Sequence, residues 1–367
     1  ASSLSSHFQS AGRQLYIETK QALNALDSEE PQQQISIEQA QAWLLLAMYE
    51  ITCDDYQRGM MSAGKAFRLI QMMRLYEIDA QRPLVPLTTQ KMERDQDSPN
   101  LQERHKDDWV DTETKRRTFW LAYTIDRFTS MVDGLHSFIN EPVIRTRLPS
   151  SEARFASGRS EEMKFLDEML SGLEWSESDL SPFMETIIGA TICGRALQHK
   201  QSPPAQTLDA TYEFCRGHRS LNTLLAQRFQ VLLMHTPLEC LDPVRSFTAL
   251  AERLTVLILY DLLQSKPLGS DPQATQLTKA LLKESHQQSL DAVHDSALLI
   301  ATLGQQFQAY PLTPILLLLG ARFSQAHPEL NDAYNKLVPP IVTTLQAPYN
   351  QSRLSRSFLQ LLTADQP

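Results

Sequence analysis

A chain of 367 residues with 42% hydrophobic content can bury a large core, as one big domain or two fused ones. Its net charge of −9 and pI near 5.5 exclude nucleic-acid binding through the overall field, and no basic run is longer than Lys115-Arg116-Arg117. The opening ASSLSSHFQS lacks the basic start and apolar stretch of a signal peptide, and the longest apolar run, Ala42–Tyr49, is too short to span a bilayer. A soluble protein of the cytosol or nucleus with no membrane partner is expected. The start at Ala1 reads as that of a fragment or processed chain. Cys53, Cys193, Cys215 and Cys240 lie far apart without C-x-x-C spacing, and are expected to be reduced, buried thiols.

In chain order, residues 7–26 predict an amphipathic helix with Phe8, Leu15, Ala22 and Leu26 on one side. Asp27–Gln34 is polar, holds Pro31 and reads as a loop. Ser36 with Gln39 forms a capping box for a helix over Ile37–Ile51 that is apolar nearly all round and therefore central. Asp54 can cap the next helix, Tyr56–Tyr76, striped by Ala63, Ala66, Phe67, Ile70 and Met73. The small residues Gly59, Ala63 and Ala66 would let a neighbouring helix approach closely. Residues 79–110 are proline-broken and charged without period, and are expected to be a disordered insertion.

The central helix opens at Asp111 or Thr112, with Glu113 and Arg117 four apart on one face. Leu121, Thr124, Phe128 and Met131 form its stripe, widened by Trp120 and Tyr123, and Asp133-Gly134 ends it. Pro142 and Pro149 bound an irregular tail that must run across the helix. Asp126 and Arg127 fall among aromatics, where a charge must be paired. Adjacent helical residues do not face each other, so the expected partner of Asp126 is Arg68 on the preceding helix.

Beyond Pro149 the pattern predicts a polar stretch, a short helix near Met163–Leu170, and a turn over Trp175–Pro182. Ser181-Pro182 then opens a helix that Ser202-Pro203-Pro204 ends. Thr211–Met234, Val244–Leu263, Leu290–Phe307, Ile315–Phe323, Glu329–Leu337 and Ile341–Leu361 complete the set. No alternating strand pattern or fixed repeat occurs. The expected fold is all-α, a large multi-helix domain of packed amphipathic helices without significant sheet. Its parts are N-terminal helices at 1–78, the insertion at 79–110, the central helix and tail at 111–155, and further helices of the same domain at 156–367.

Glu113-x-x-Arg116-Arg117-x-Phe119-Trp120, then Asp126-Arg127, Gly134 and Leu148-Pro149, resembles the middle homology region of fungal zinc-cluster transcription factors. The family's Gly-Arg-Pro turn here reads Gly134-Leu135-His136. A second block, Gly59, Gly64, Ala66, Arg68 and Leu69, is similar to the family's G-x-x-x-x-G-x-A-x-R-L. The likeness covers roughly residues 40–155. It implies the regulatory domain of a nuclear, sequence-specific regulator, with room for shuttling between cytoplasm and nucleus. It further implies that DNA is read by a six-cysteine, two-zinc cluster lying outside this chain. The four cysteines here have the wrong number and spacing, so no cofactor, zinc or DNA binding is expected of this chain alone, and zinc is expected of the full-length protein. The partners implied are a small-molecule effector, transcriptional co-regulators and a second copy in a homodimer. The rival classes are a helical scaffold and an all-α enzyme of terpene-synthase type.

No residue qualifies as catalytic. Asp54-Asp55-x-x-Arg58 has an arginine where a metal-binding D-D-x-x-D needs its third carboxylate, so a helix cap is expected. Cys215 and His218 supply only half of a zinc site and read as helix-surface residues. His286 and His294 do not form H-E-x-x-H, and no P-loop, G-x-G-x-x-G or G-x-S-x-G occurs. Met60, Met61, Met72 and Met73 read as adaptable core, with a varied apolar pocket as the sharper alternative.

Overall fold

Helical segments make up most of the described residues. The structure, a computed structural model, describes residues 2–28, 35–80, 100–171, 180–205, 207–235, 242–266, 271–307, 310, 312–327 and 337–346. Among them the fold is all-α, with no strand. The helices are α1 (Ser2–Ser28), α2 (Ile37–Tyr49), α3 (Tyr56–Met72), α4 (Asn100–Asp133), α5 (Glu152–Ser157) and α6 (Leu166–Ser171). They continue with α7 (Pro182–Gln201), α8 (Leu208–His235), α9 (Pro243–Ser265), α10 (Pro272–Phe307), α11 (Thr313–Ala326) and α12 (Val338–Gln346).

Short polar side chains start the helices by accepting from otherwise unbonded N–H groups. Ser36 accepts from Gln39 N at 3.2 Å, as the capping box requires. Ser181 accepts from Met184 N, Asp242 from Val244 and Arg245 N, and Asp271 from Gln273 N. Asp55, rather than Asp54, caps α3, taking Gln57 N at 3.0 Å and Arg58 N at 3.4 Å. The residues between, Glu50–Asp54, form a wide π turn that shifts the cap by one position. At its far end α3 stops at Met72, where Arg74 adopts φ 55°, and a single 3₁₀ turn covers Leu75–Glu77. Gly134, at φ 64°, ends α4 where expected.

Two corrections concern element starts. Helix α4 begins at Asn100, so residues 100–110 are helical rather than part of a disordered insertion; residues 81–99 lie outside the described residues. The segment is rich in Leu, Gln, Glu, Arg and Lys, which favour helix without any apolar stripe. Helix α10 starts at Pro272 instead of near Leu290. Its buried face carries Ser285, Ser289 and Ser296, which hide the apolar period from a sequence reader. The short helix α5, capped by Ser151 and closed by Gly158 at φ 62°, lies in what read as plain polar chain. The predicted helices at Glu329–Leu337 and beyond Gln346 lie outside the described residues, apart from Leu337 in a turn.

The chain forms two compact units. The first comprises Ala1–Leu45, Ser62–Tyr123 and Phe138–Met184; the second comprises Leu46–Met61, Thr124–Ser137 and Glu185–Pro367. In the first unit α1 departs from its expected face: Leu15 is 63% exposed, Leu26 and Ala22 are exposed too, and Leu23 is the buried leucine. Helix α2 buries Trp43 and Leu44, with the Lys65 ammonium 4.1 Å above the Trp43 ring. In the second unit α9 is the helix buried nearly all round, contacted by α8, α10 and α11, while α12 packs on α10 and α11. Its charges are matched there: Glu252 pairs with Arg228 at 2.6 Å, and the Arg253 guanidinium stacks on Phe229 at 4.3 Å.

Gly59 and Gly64 belong to the same α3 block but answer differently to a methyl group. A Cβ on Gly59 would stand 2.5 Å from Ile51 Cγ1 and 2.7 Å from the Ile51 backbone nitrogen. Nothing lies within 4 Å of a Cβ on Gly64. Gly59→Ala is therefore expected to destabilise by about 1–3 kcal/mol, the range for forcing a methyl into packed structure. Gly64→Ala should stabilise by about 0.4–1 kcal/mol through the unfolded chain. Urea midpoints of the two variants check the pair, and equal shifts would contradict it.

Cys215 and His218, expected on a helix surface, are buried. Among the described residues no group of three or more His, Cys, Asp or Glu is placed to hold a metal ion. Instead the His199 and His218 ring centroids lie 5.5 Å apart, with Phe214 stacked on His199 at 4.2 Å. Ser285 Oγ lies 3.3 Å from His218 Nε2. Burial, followed by the charges of His199 and Arg219, brings the His218 pKa down to about 3. Burial and Lys266 bring His199 to about 4. Both rings are thus neutral in the folded chain, whereas the unfolded chain protonates them below about 6.5. Stability contributed above pH 6.5 is lost as the pH falls toward these folded values. Between pH 7 and 5 the loss should be about 2 kcal/mol for the fully buried His218, and less for His199, which solvent partly screens. Urea titrations at both pH values should show that His218→Leu removes at least half of this dependence; an unchanged dependence would contradict the buried, neutral ring.

Candidate functional site

The N-terminal half of the predicted motif converges on one network in the first unit, built where α4 meets the non-helical segment 144–150. Glu113, fully buried, points its carboxylate at Ser150: Oε1 accepts from Ser150 N at 2.8 Å and from Ser150 Oγ at 3.0 Å. Arg117, one turn along α4, donates Nε to Glu113 Oε1 at 3.3 Å and Nη2 to Ser150 O at 2.6 Å. The expected Glu113–Arg117 pairing is therefore present, and the two side chains grip both backbone groups of one residue. Arg116 forks onto Asp79, with Nε 2.9 Å from Oδ2 and Nη2 on Oδ1, and reaches Glu113 at 3.4 Å. Burial opposes the Arg116 charge, but Asp79 and Glu113 outweigh it and hold the guanidinium above its usual pKa.

Asp79 ties in the segment's other end. Its Oδ2 also accepts from Arg147 N at 2.9 Å, and its backbone N donates to Arg145 O at 3.0 Å. Thr146 donates to Leu75 O at 2.6 Å and accepts from Ile78 N at 3.1 Å. Trp120 Nε1 donates to Arg147 O at 2.7 Å, and its ring meets Phe119 and Tyr123 edge-on or tilted. Leu148 and Pro149 are buried beside it, with Leu148 N bonded to Lys164 O at 3.0 Å. The motif is thus a clasp: a helix face of charges and indole satisfies the backbone of a tail that has no ladder of its own.

Other motif residues stand elsewhere. Gly59 seats against Ile51, as described above. Arg68 is exposed and bonds Gln71 at 3.2 Å, so it is not the partner of Asp126. Asp126 and Arg127 are both buried in the second unit and pair with each other, Nη1 to Oδ2 at 2.9 Å. The expectation failed because it compared Cβ directions alone. A long arginine can fold back when space is provided, and a methyl group on Gly194 of α7 would overlap the Arg127 Cδ. Met61 and Met72 are exposed. Met73 lines a cavity of the first unit with Ile37, Leu75 and Ile78.

Sequence reasoning missed Asp79, Arg147 and Ser150. Asp79 fell at the edge of the presumed insertion, and Ser150 is one residue past the Leu148-Pro149 signature. It also missed a cleft of about 410 Å³ beside the clasp, lined by Leu44, Leu45, Thr118, Leu121, Phe155 and Phe183 among others. Leu45 is 66% exposed on a helix otherwise expected to be covered on all sides. Asp55, as a cap, spends its carboxylate on backbone N–H groups rather than on a metal site of terpene-synthase kind.

Residues 1–220 match the fungal specific transcription factor domain. The chain is 34% identical to a pigment biosynthesis transcriptional activator of Monascus ruber, over 99% of this chain and 63% of that protein. It is 33% identical to a citrinin biosynthesis transcriptional activator of Monascus purpureus, over 99% of this chain and 60% of that protein. An azaphilone cluster-specific transcription factor of Aspergillus niger is 35% identical over 79% of this chain and 58% of its own length. The chain therefore spans less than two thirds of the relatives it matches. No solved structure matches it. These relatives are transcription factors, not enzymes, and the chain belongs to the family of fungal-specific transcription factor domains.

Proposed function

We propose that this chain is the regulatory part of a cluster-specific activator, one that switches on a pigment- or azaphilone-type biosynthetic gene cluster in the nucleus. The observation that carries this reading is the match of nearly the whole chain to activators named for such pathways. Sequence-specific contact with DNA falls to a zinc cluster outside this chain, where the zinc of the full-length protein resides. The net charge of −9 supports that division of labour, since phosphate contacts need a basic face. Co-regulators and a homodimer partner act through this domain, and a small-molecule effector tunes it. Chromatin immunoprecipitation of the full-length protein tests the reading. Occupancy should concentrate on the promoters of one biosynthetic cluster; occupancy spread over unrelated promoters, or none, would overturn it.

A further inference from the structure

We propose that the cleft beside the clasp binds a small apolar organic acid, held by its acidic group on Arg117 and by its body on Leu45 and Phe155. The proposal rests on the chain being a regulatory domain and assigns the site through which it is tuned. A volume of about 410 Å³ suits one small molecule rather than a docked helix. Leu44, Leu45, Leu121, Phe155 and Phe183 supply apolar walls.

The polar atoms at the cleft decide the class of ligand. Thr118 and Thr114 donate their hydroxyls to carbonyls of their own helix, Thr114 O and Val110 O, each at 2.8 Å. Gln41 Nε2 is bonded to Thr118 Oγ1 at 2.9 Å. Arg117 spends Nε on Glu113 and Nη2 on Ser150 O. Among the described residues its Nη1 is paired with Glu152 Oε1, at 3.7 Å, beyond hydrogen-bond range. Glu152 is 58% exposed, so it can swing into solvent. A carboxylate or other acidic group entering the cleft would take its place with a charge-assisted bond. A neutral ligand would have to leave the Glu152 carboxylate where it is.

The same arginine links the cleft to the clasp. Its guanidinium stacks 4.5 Å above the Phe155 ring while holding Ser150 and Glu113. A ligand that moves Phe155 or recruits Nη1 therefore alters the grip on residues 144–150, which couples occupancy of the cleft to the clasp.

Calorimetric titration of the chain with 2-naphthoate, and with 2-naphthamide as its neutral counterpart, tests the proposal. Naphthoate should bind saturably and at least fivefold tighter than the amide. Glu152→Gln should tighten it severalfold by removing the competing carboxylate. Leu45→Glu, at an exposed position that spares folding, should weaken it at least tenfold. Absence of saturable binding up to about 5 mM, far above useful affinity, equal affinity for acid and amide, or indifference to Leu45→Glu would each overturn it. Promoter occupancy without naphthoate binding sinks the cleft alone, and naphthoate binding without such occupancy sinks the regulatory reading alone.

Discussion

Asp126→Ala is expected to destabilise the second unit by about 3–5 kcal/mol, the range for removing one partner of a buried ion pair. Asp126 is 3% and Arg127 1% exposed, so neither charge has water to fall back on. Their 2.9 Å contact is the ion pair that neutralises them. Removing the carboxylate takes that counter-charge away from a guanidinium held beside Gly194 of α7. Replacing both by apolar residues, Asp126→Ala with Arg127→Leu, should recover part of the loss because the buried cation leaves together with its counter-charge. A urea-denaturation double-mutant cycle measures the coupling. Additive effects would mean that the two side chains do not depend on each other.

Glu113→Ala should be of similar size, about 3–5 kcal/mol, for a different reason. The carboxylate serves Ser150 twice and Arg116 and Arg117 once each, so its loss takes an acceptor from a buried N–H, a hydroxyl and two cations at once. Two residues along, Lys115 pairs with Asp111 on the exposed side of the same helix. Lys115→Ala is expected to change stability by less than about 1 kcal/mol, as exposed pairs do. Urea midpoints of the two variants separate a clasp from ordinary surface charge.

The parts of this fold that local chemistry decides were legible in advance. Ser36, Ser181 and Gly134 mark helix ends because capping and left-handed turns involve only near neighbours in sequence. Partners fixed by distant residues were not legible. Arg127 can turn back on Asp126 because Gly194 clears its path, and no spacing rule on α4 records a glycine on α7. Asp79 looked like the first residue of an insertion, yet it carries Arg116 and the backbone of Arg147. Sequence reasoning found Glu113, Arg116, Arg117 and Trp120 as a resemblance; the hydrogen bonds of Glu113, Arg117 and Trp120 to a single tail, and of Arg116 to the Asp79 that also holds it, supply the physical reason for that spacing. The buried serines of α10 misled in the opposite direction, since a small hydroxyl can lie in a core when it bonds its own helix, as Ser289 does to His286 O at 2.8 Å.

The central claim is that the family signature works as a clasp on residues 144–150. Native-state hydrogen exchange at the Ser150 amide tests it most directly, comparing the chain with its Glu113→Ala variant and taking amides of α9 as the reference for global opening. The clasp predicts a Ser150 amide protected in the parent chain and accelerated by Glu113→Ala well beyond the change seen in α9. A Ser150 amide that exchanges freely in the parent chain, or that shifts no more than α9 does, would contradict it.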